Sequence, residues 1–104
     1  MATYILLGTF TEQGIRNIKD TTKRAEAVRA MGKKAGVTVK DMYWTLGQYD
    51  VCAILNAPDE AAATSLALGV GSLGNVRTQL LRAFTEKEMG PILRGMGKPA
   101  RGQK

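Results

Sequence analysis

The chain has 104 residues, enough for one domain. It carries 15 basic and 9 acidic residues, a net charge of +6, and 44% of its residues are hydrophobic, which supports a real core. It contains no histidine and a single cysteine, Cys52, which excludes histidine-based acid–base catalysis, catalytic triads, most transition-metal sites and an intrachain disulfide framework. No apolar run approaches the ~20 residues of a membrane span, and Met1 to Leu7 lacks the basic start of a signal peptide. The expectation is a cytoplasmic protein with no membrane partner, no metal and no cofactor.

Thr3 to Phe10 reads as a first strand. Tyr4, Leu6 and Phe10 share one face, Ile5 and Leu7 the other, so both faces are expected to be covered. Thr11 then caps a helix with Glu12 and Gln13 in its first turn. Ile15, Ile18, Thr22, Ala25, Val28 and Gly32 recur at helical spacing as its buried stripe, and Gly36 stops it. From Arg16 to Lys34 the chain has seven basic residues against two acidic ones. These charges are expected to form a solvated helix face.

Val37 to Leu46 and Tyr49 to Leu55 read as a β-hairpin. Glycine at the first central position of a Gly47-Gln48 turn suits type II′, which needs a positive φ there. A two-residue loop pairs Leu46 with Tyr49 and Trp44 with Val51. Met42, Trp44, Leu46, Tyr49, Val51, Ala53 and Leu55 then form a core face. Asp41, Tyr43, Thr45, Asp50, Cys52 and Ile54 form a second, mixed face. Pro58, Asp59 and Glu60 open another helix through Ala61 to Leu68, which Gly69, Gly71 and Gly74 loosen and end. Asn75 to Phe84 is a fourth strand. Thr85 caps a short last helix through about Leu93. The domain spans 1–94, and 95–104 form a flexible basic tail.

The order βαββαβ gives an α+β fold: the ferredoxin-like plait, one antiparallel sheet with two helices on one face. The other sheet face carries apolar groups on every strand, more than a soluble monomer exposes comfortably. Self-association through that face, as a homodimer of the dimeric α/β-barrel kind or a larger homo-oligomer, is the expected solution.

Two segments resemble the GYD-domain family, small bacterial proteins of the dimeric α/β-barrel type. One is Gly47-Gln48-Tyr49-Asp50. The other is Gly74-Asn75-Val76-Arg77-Thr78, followed by Leu81-Arg82-Ala83-Phe84-Thr85. The likeness covers about residues 3–88 and leaves out the chain after about Met89. It implies the fold and a tendency to associate, and no particular chemistry.

Tyr43, Thr45, Asp50 and Arg77 are the candidate ligand-binding residues. In the structural alternative, Tyr49 fills the interface between sheet and helices, Asp50 bonds backbone or a neighbour near the turn, and Arg77 pairs within the chain or across subunits with a carboxylate such as Asp50. In the functional alternative, Tyr43, Thr45 and Asp50 line a pocket at the oligomer interface. Arg77, in the glycine-led 74–78 segment, offers an anion a bidentate fork. Cys52 is expected buried and inert, and Trp44 in the core. Three functions follow: an oligomeric small-molecule-binding or structural and regulatory module; a cofactor-independent enzyme of the monooxygenase or isomerase kind using Tyr43, Asp50 and Arg77; and a nucleic-acid or anionic-partner binder using the basic helix and tail. The aromatic pattern of RNA-binding plaits is absent, so nucleic acid ranks low.

Overall fold

The computed structural model describes residues 1–97; of the expected tail, all but its first three residues lie outside that range. In order come β1 (Ala2–Phe10), α1 (Glu12–Arg16), a 3₁₀ turn (Ile18–Asp20), α2 (Thr21–Lys34), β2 (Thr38–Trp44), β3 (Val51–Ala57), α3 (Glu60–Ser72), β4 (Val76–Ala83) and α4 (Glu86–Gly95). The four strands form one antiparallel sheet in the order β2-β3-β1-β4. This is the ferredoxin-like α+β arrangement. Helix α2 packs on β2 and α3, and α3 packs on β3 and β4, so both lie on one face of the sheet.

The core sits between those layers. Tyr4 and Leu6 of β1, Val39 of β2, and Ala53, Leu55 and Ala57 of β3 meet Ala63, Leu66, Ala67 and Val70 of α3. The helical residues recur at i, i+3, i+4 and i+7, the spacing that aims one stripe at a sheet. Burial of this stripe outweighs the cost of glycine in a helix. Consequently α3 continues through Gly69 and Gly71 to Ser72, four residues beyond the expected end at Leu68.

The first helical segment departs further from expectation. Its periodicity predicts one helix from Thr11 to Gly36, but the chain breaks at Asn17–Asp20 into α1, the 3₁₀ turn and α2. The cause lies in Gly14. A Cβ there would stand 2.0 Å from the Asn75 carbonyl oxygen, so α1 is pressed onto the corner between α3 and β4. From that anchor, α2 has to change direction to lie along the sheet. Arg24 holds the bend by donating to the Asn17 and Gly14 carbonyls, at 2.7 and 3.3 Å. Ile15, Ile18 and Thr22 leave the expected stripe and are exposed.

In the hairpin, Trp44 pairs with Val51 as expected. The strands end there, however, so Leu46 and Tyr49 are not a strand pair, and Leu46 is fully exposed at 101%. A bulge between Val39 and Asp41 places Lys40 as an extra residue. It explains why the helix-facing apolar positions along 37–44 switch from 37 and 39 to 42 and 44. Trp44 is half exposed rather than in the core; its indole N–H donates to Thr21 Oγ1 at 3.0 Å.

Candidate functional site

The open sheet face is built from two cross-strand rows. In one, Asp41, Ile54, Ile5 and Leu81 lie side by side across β2, β3, β1 and β4; in the next, Tyr43, Cys52, Leu7 and Gln79 do so. Tyr43 is 55% exposed and Leu81 38%. Ile5, Leu7, Cys52 and Ile54 are half-buried, shielded by their neighbours on the pleat and by no second layer among the described residues.

The Gly47–Asp50 segment closes one end of this face. Gly47 adopts φ +104°, the positive value expected of it and strained for any other residue. Thr45 N–H donates to Asp50 O at 2.8 Å, and the Thr45 hydroxyl donates to Tyr49 O at 2.5 Å. Asp50 N–H donates to Gly8 O, and Phe10 N–H donates to Asp50 Oδ2, both at 2.9 Å. The Tyr49 hydroxyl donates to Gln79 Oε1 on β4 at 2.8 Å. Gln79 belongs to the open face, so Tyr49 crosses that face instead of filling the interface between sheet and helices. The segment is a clasp: Asp50 fastens it to β1 and Tyr49 to β4.

The four candidate residues do not converge within one chain. Thr45 and Asp50 meet in the clasp. Tyr43 and Arg77 occupy β2 and β4, the two edges of the sheet, three strand spacings or roughly 14 Å apart. Arg77 stands opposite Thr9. The two ion pairs among the described residues are Arg16–Glu12 and Arg82–Glu88, so Arg77 does not pair with Asp50 within one chain.

The 74–78 segment begins as a docking corner. Thr11 N–H donates to Asn75 O at 3.0 Å and its hydroxyl to Gly74 O at 2.6 Å; Gln13 Nε2 donates to Leu73 O and Asn75 Oδ1. The carbonyl oxygens of Leu73, Gly74 and Asn75 thus face donors on α1 and its cap, an arrangement for holding a helix rather than an anion. Thr78 turns toward the helices, its hydroxyl donating to Ala67 O at 3.5 Å.

Arginines of the basic helix also have partners within the chain. Arg16 pairs with Glu12, Arg24 bonds two carbonyls, and Arg29 donates to Val39 O at 3.0 Å. On β4, Arg82 lies 4.3 Å from the Phe84 ring centre and 5.6 Å from that of Tyr4, and it reaches Glu88 at 3.2 Å. The backbone N–H of Thr85, first, and the Arg82 side chain, second, hold the Glu88 carboxyl below the ordinary value of 4.5. Thr85 and Glu88 complete a reciprocal capping box on α4. Beyond it α4 makes at most slight contact with the other elements, and Ile92, Leu93 and Met96 are exposed.

A cavity of ≈ 230 Å³ opens between the sheet, α2 and α3. It lies on the side opposite to the expected interface pocket, and its walls are apolar. Leu6, Phe10, Met42, Trp44, Val51 and Val70 contribute, with Thr21, Arg24, Asn75 and Thr78 as the polar members. Sequence reasoning missed it because most of these residues read as ordinary core. The available signal was the abundance of small residues at facing positions, Gly8, Ala25, Ala27 and Ala53, which leave space between layers.

No helix among the described residues is long and apolar enough to cross a membrane. The family model of the GYD domain matches residues 4–93, reaching further into α4 than the resemblance read from the two motifs. A Thermus thermophilus protein named the glutamine synthetase and cystathionine beta-lyase binding protein is 32% identical over 85 residues, covering 81% of this chain and 90% of that one. A crystal structure of a Thermus thermophilus protein aligns with a TM-score of 0.54 and 24% identity, covering 82% of this chain and 95% of that one. Its likeness is one of fold.

Proposed function

The chain belongs to the GYD-domain family, and from that premise we propose that it is an association module: two copies pair through the open sheet face, and the pair binds a metabolic enzyme. The observation that carries this is the double row of Ile5, Ile54, Leu81, Tyr43, Cys52 and Leu7 with no layer over it among the described residues. Contiguous apolar surface of this kind marks interfaces. Four strands ~4.8 Å apart and about 24 Å long give a projected face of roughly 450 Å². That is small beside the ~800 Å² per partner of a standard interface. The exposed Ile92 and Leu93 of α4, with Met96 just after it, supply further apolar area, so α4 reaches onto the second copy in this proposal.

The enzyme partner is supported by the name of the relative, which binds glutamine synthetase and cystathionine beta-lyase. The cytoplasm is the proposed location, since a free cysteine on an association face suits a reducing compartment. Catalysis at the interface has less behind it: Asp50, the carboxylate it would use, already accepts the Phe10 N–H.

Light scattering after size exclusion tests the pairing. The native chain is expected at twice its 11.2 kDa mass or more, and Leu81→Arg, at an exposed edge-strand position, at the single-chain mass with unchanged circular dichroism. A native chain that stays at the single-chain mass up to about 100 μM refutes the pairing, because an affinity much weaker than ~1 μM is unlike a permanent dimer. Titration of purified glutamine synthetase from the same organism then tests the enzyme partner separately.

A further inference from the structure

We propose that the cavity between the sheet and α2/α3 is a binding site for a small carboxylic acid bearing one aromatic ring. Nothing in the association reading requires it, and it lies on the other side of the sheet. Size is the first argument. At ≈ 230 Å³ the cavity exceeds the ~150 Å³ that holds a benzene molecule and falls below the ~300–1,000 Å³ of sites for drug-sized ligands. One ring with a short substituent fits between those limits.

Three of the four polar side chains in the lining specify the rest, because what they have left to offer is donors; the fourth, Thr78, spends its hydroxyl hydrogen on Ala67 O. The Arg24 guanidinium carries more N–H groups than it uses on the Asn17 and Gly14 carbonyls, and its charge has no carboxylate partner among the described residues. Thr21 accepts the Trp44 indole N–H through Oγ1, and its own hydroxyl hydrogen has no acceptor among the described residues. Asn75 accepts from Gln13 through Oδ1, and its amide hydrogens likewise have no acceptor among the described residues. No Asp or Glu lines the cavity among the described residues. A ligand matching this lining has an apolar body and an anionic, acceptor-only head. Trp44 and Phe10 are the aromatic wall residues suited to a ring, and a carboxylate is the head that a free guanidinium edge receives.

The test uses phenylacetate and its neutral counterpart phenylacetamide on the full-length chain. Trp44 is the only tryptophan and lines the cavity, so its emission reports occupancy directly. Both probes are expected to change that emission saturably, phenylacetate more tightly. Arg24→Gln is expected to weaken phenylacetate about tenfold, the order of one charge-assisted hydrogen bond, and phenylacetamide less than twofold. Ala27→Leu, at an exposed helical position on the cavity lining, is expected to weaken both probes without unfolding the chain. Leu81→Arg, on the far face, is expected to weaken neither, which separates failure of this site from failure of the pairing. The proposal is overturned by no response of Trp44 emission or of the Val28 and Val70 methyl resonances up to about 10 mM probe, ten times the ~1 mM of weak binding. It is overturned equally if Arg24→Gln weakens both probes alike, since Arg24 would then only brace the bend, or if Ala27→Leu leaves binding intact.

Discussion

Gly14 is where one added methyl group meets backbone. A Cβ at this position stands 2.0 Å from the Asn75 carbonyl oxygen, whereas ordinary contact begins at 3.4 Å. Gly14→Ala therefore requires the α1 segment and the α3–β4 corner to separate by roughly 1 Å or more, the shortfall from ordinary contact. The Thr11 N–H to Asn75 O, Thr11 hydroxyl to Gly74 O and Gln13 to Asn75 Oδ1 bonds span the same gap at 3.0, 2.6 and 3.0 Å. All three are lost on that displacement, at ~1 kcal/mol each. Residual overpacking adds ~1 kcal/mol or more, and the better helix propensity of alanine returns ~1 kcal/mol. The net cost is about 3 kcal/mol. For a domain of this size that lowers Tm by roughly 12–24 °C. Urea and thermal unfolding at fixed protein concentration measure it, with Gly71→Ala as the counterpart. That site lies inside α3, and the nearest atom to an added Cβ is Thr78 Oγ1 at 3.8 Å, so the variant should be neutral or more stable by up to ~1 kcal/mol. If Gly14→Ala unfolds within about 0.5 kcal/mol of the native chain, the range of ordinary surface substitutions, then contact with Asn75 is not what breaks the first helix.

The clasp makes its own predictions. Asp50→Ala should cost about 1.5–3 kcal/mol, as the loss of a charged acceptor for the Phe10 N–H, while Asp50→Asn keeps a neutral acceptor and should cost less; equal losses in chemical denaturation would show that charge is irrelevant there. Gly47→Ala should cost ~1–2 kcal/mol because φ is +104°, seen as a lower urea midpoint with unchanged slope. Glu88 titrates below its ordinary value of 4.5, so its contribution to the α4 cap is complete above that value and is lost as pH falls through the depressed one. Carboxyl resonances followed by NMR should place the Glu88 midpoint below 4.5, and Arg82→Gln should raise it.

Much of the fold was legible from alternation. Alternation marked β1 as a strand, and the Trp44–Val51 pairing followed from the position of Gly47. What escaped was set by contacts remote in sequence. Helical periodicity runs unbroken across Asn17–Asp20, and the break comes from Asn75, far along the chain. The parity of Tyr49 holds only for a two-residue loop. The observed strands stop at Trp44 and Val51, and Tyr49 crosses to the other face to reach Gln79. Trp44 is apolar enough to read as core, but its indole N–H needs a partner and finds it at Thr21, on the rim of the cavity. Of the candidate site residues, Asp50 was visible as a turn residue. The cavity was not visible, because vacant space between layers depends on how far apart α2 and α3 are held.

The bulge at Lys40 bears on how far the sheet can grow. β2 is an edge strand, and the outer backbone groups of a flat edge strand template another strand. Two residues facing one at Val39–Asp41 break the even spacing that a newcomer needs to form its ladder, and the exposed lysine adds a charge at that point. Ribbon-like addition along β2 is thereby discouraged in the folded chain. The bulge that re-aims Met42 and Trp44 toward the helices also makes this edge a poor template for a further strand.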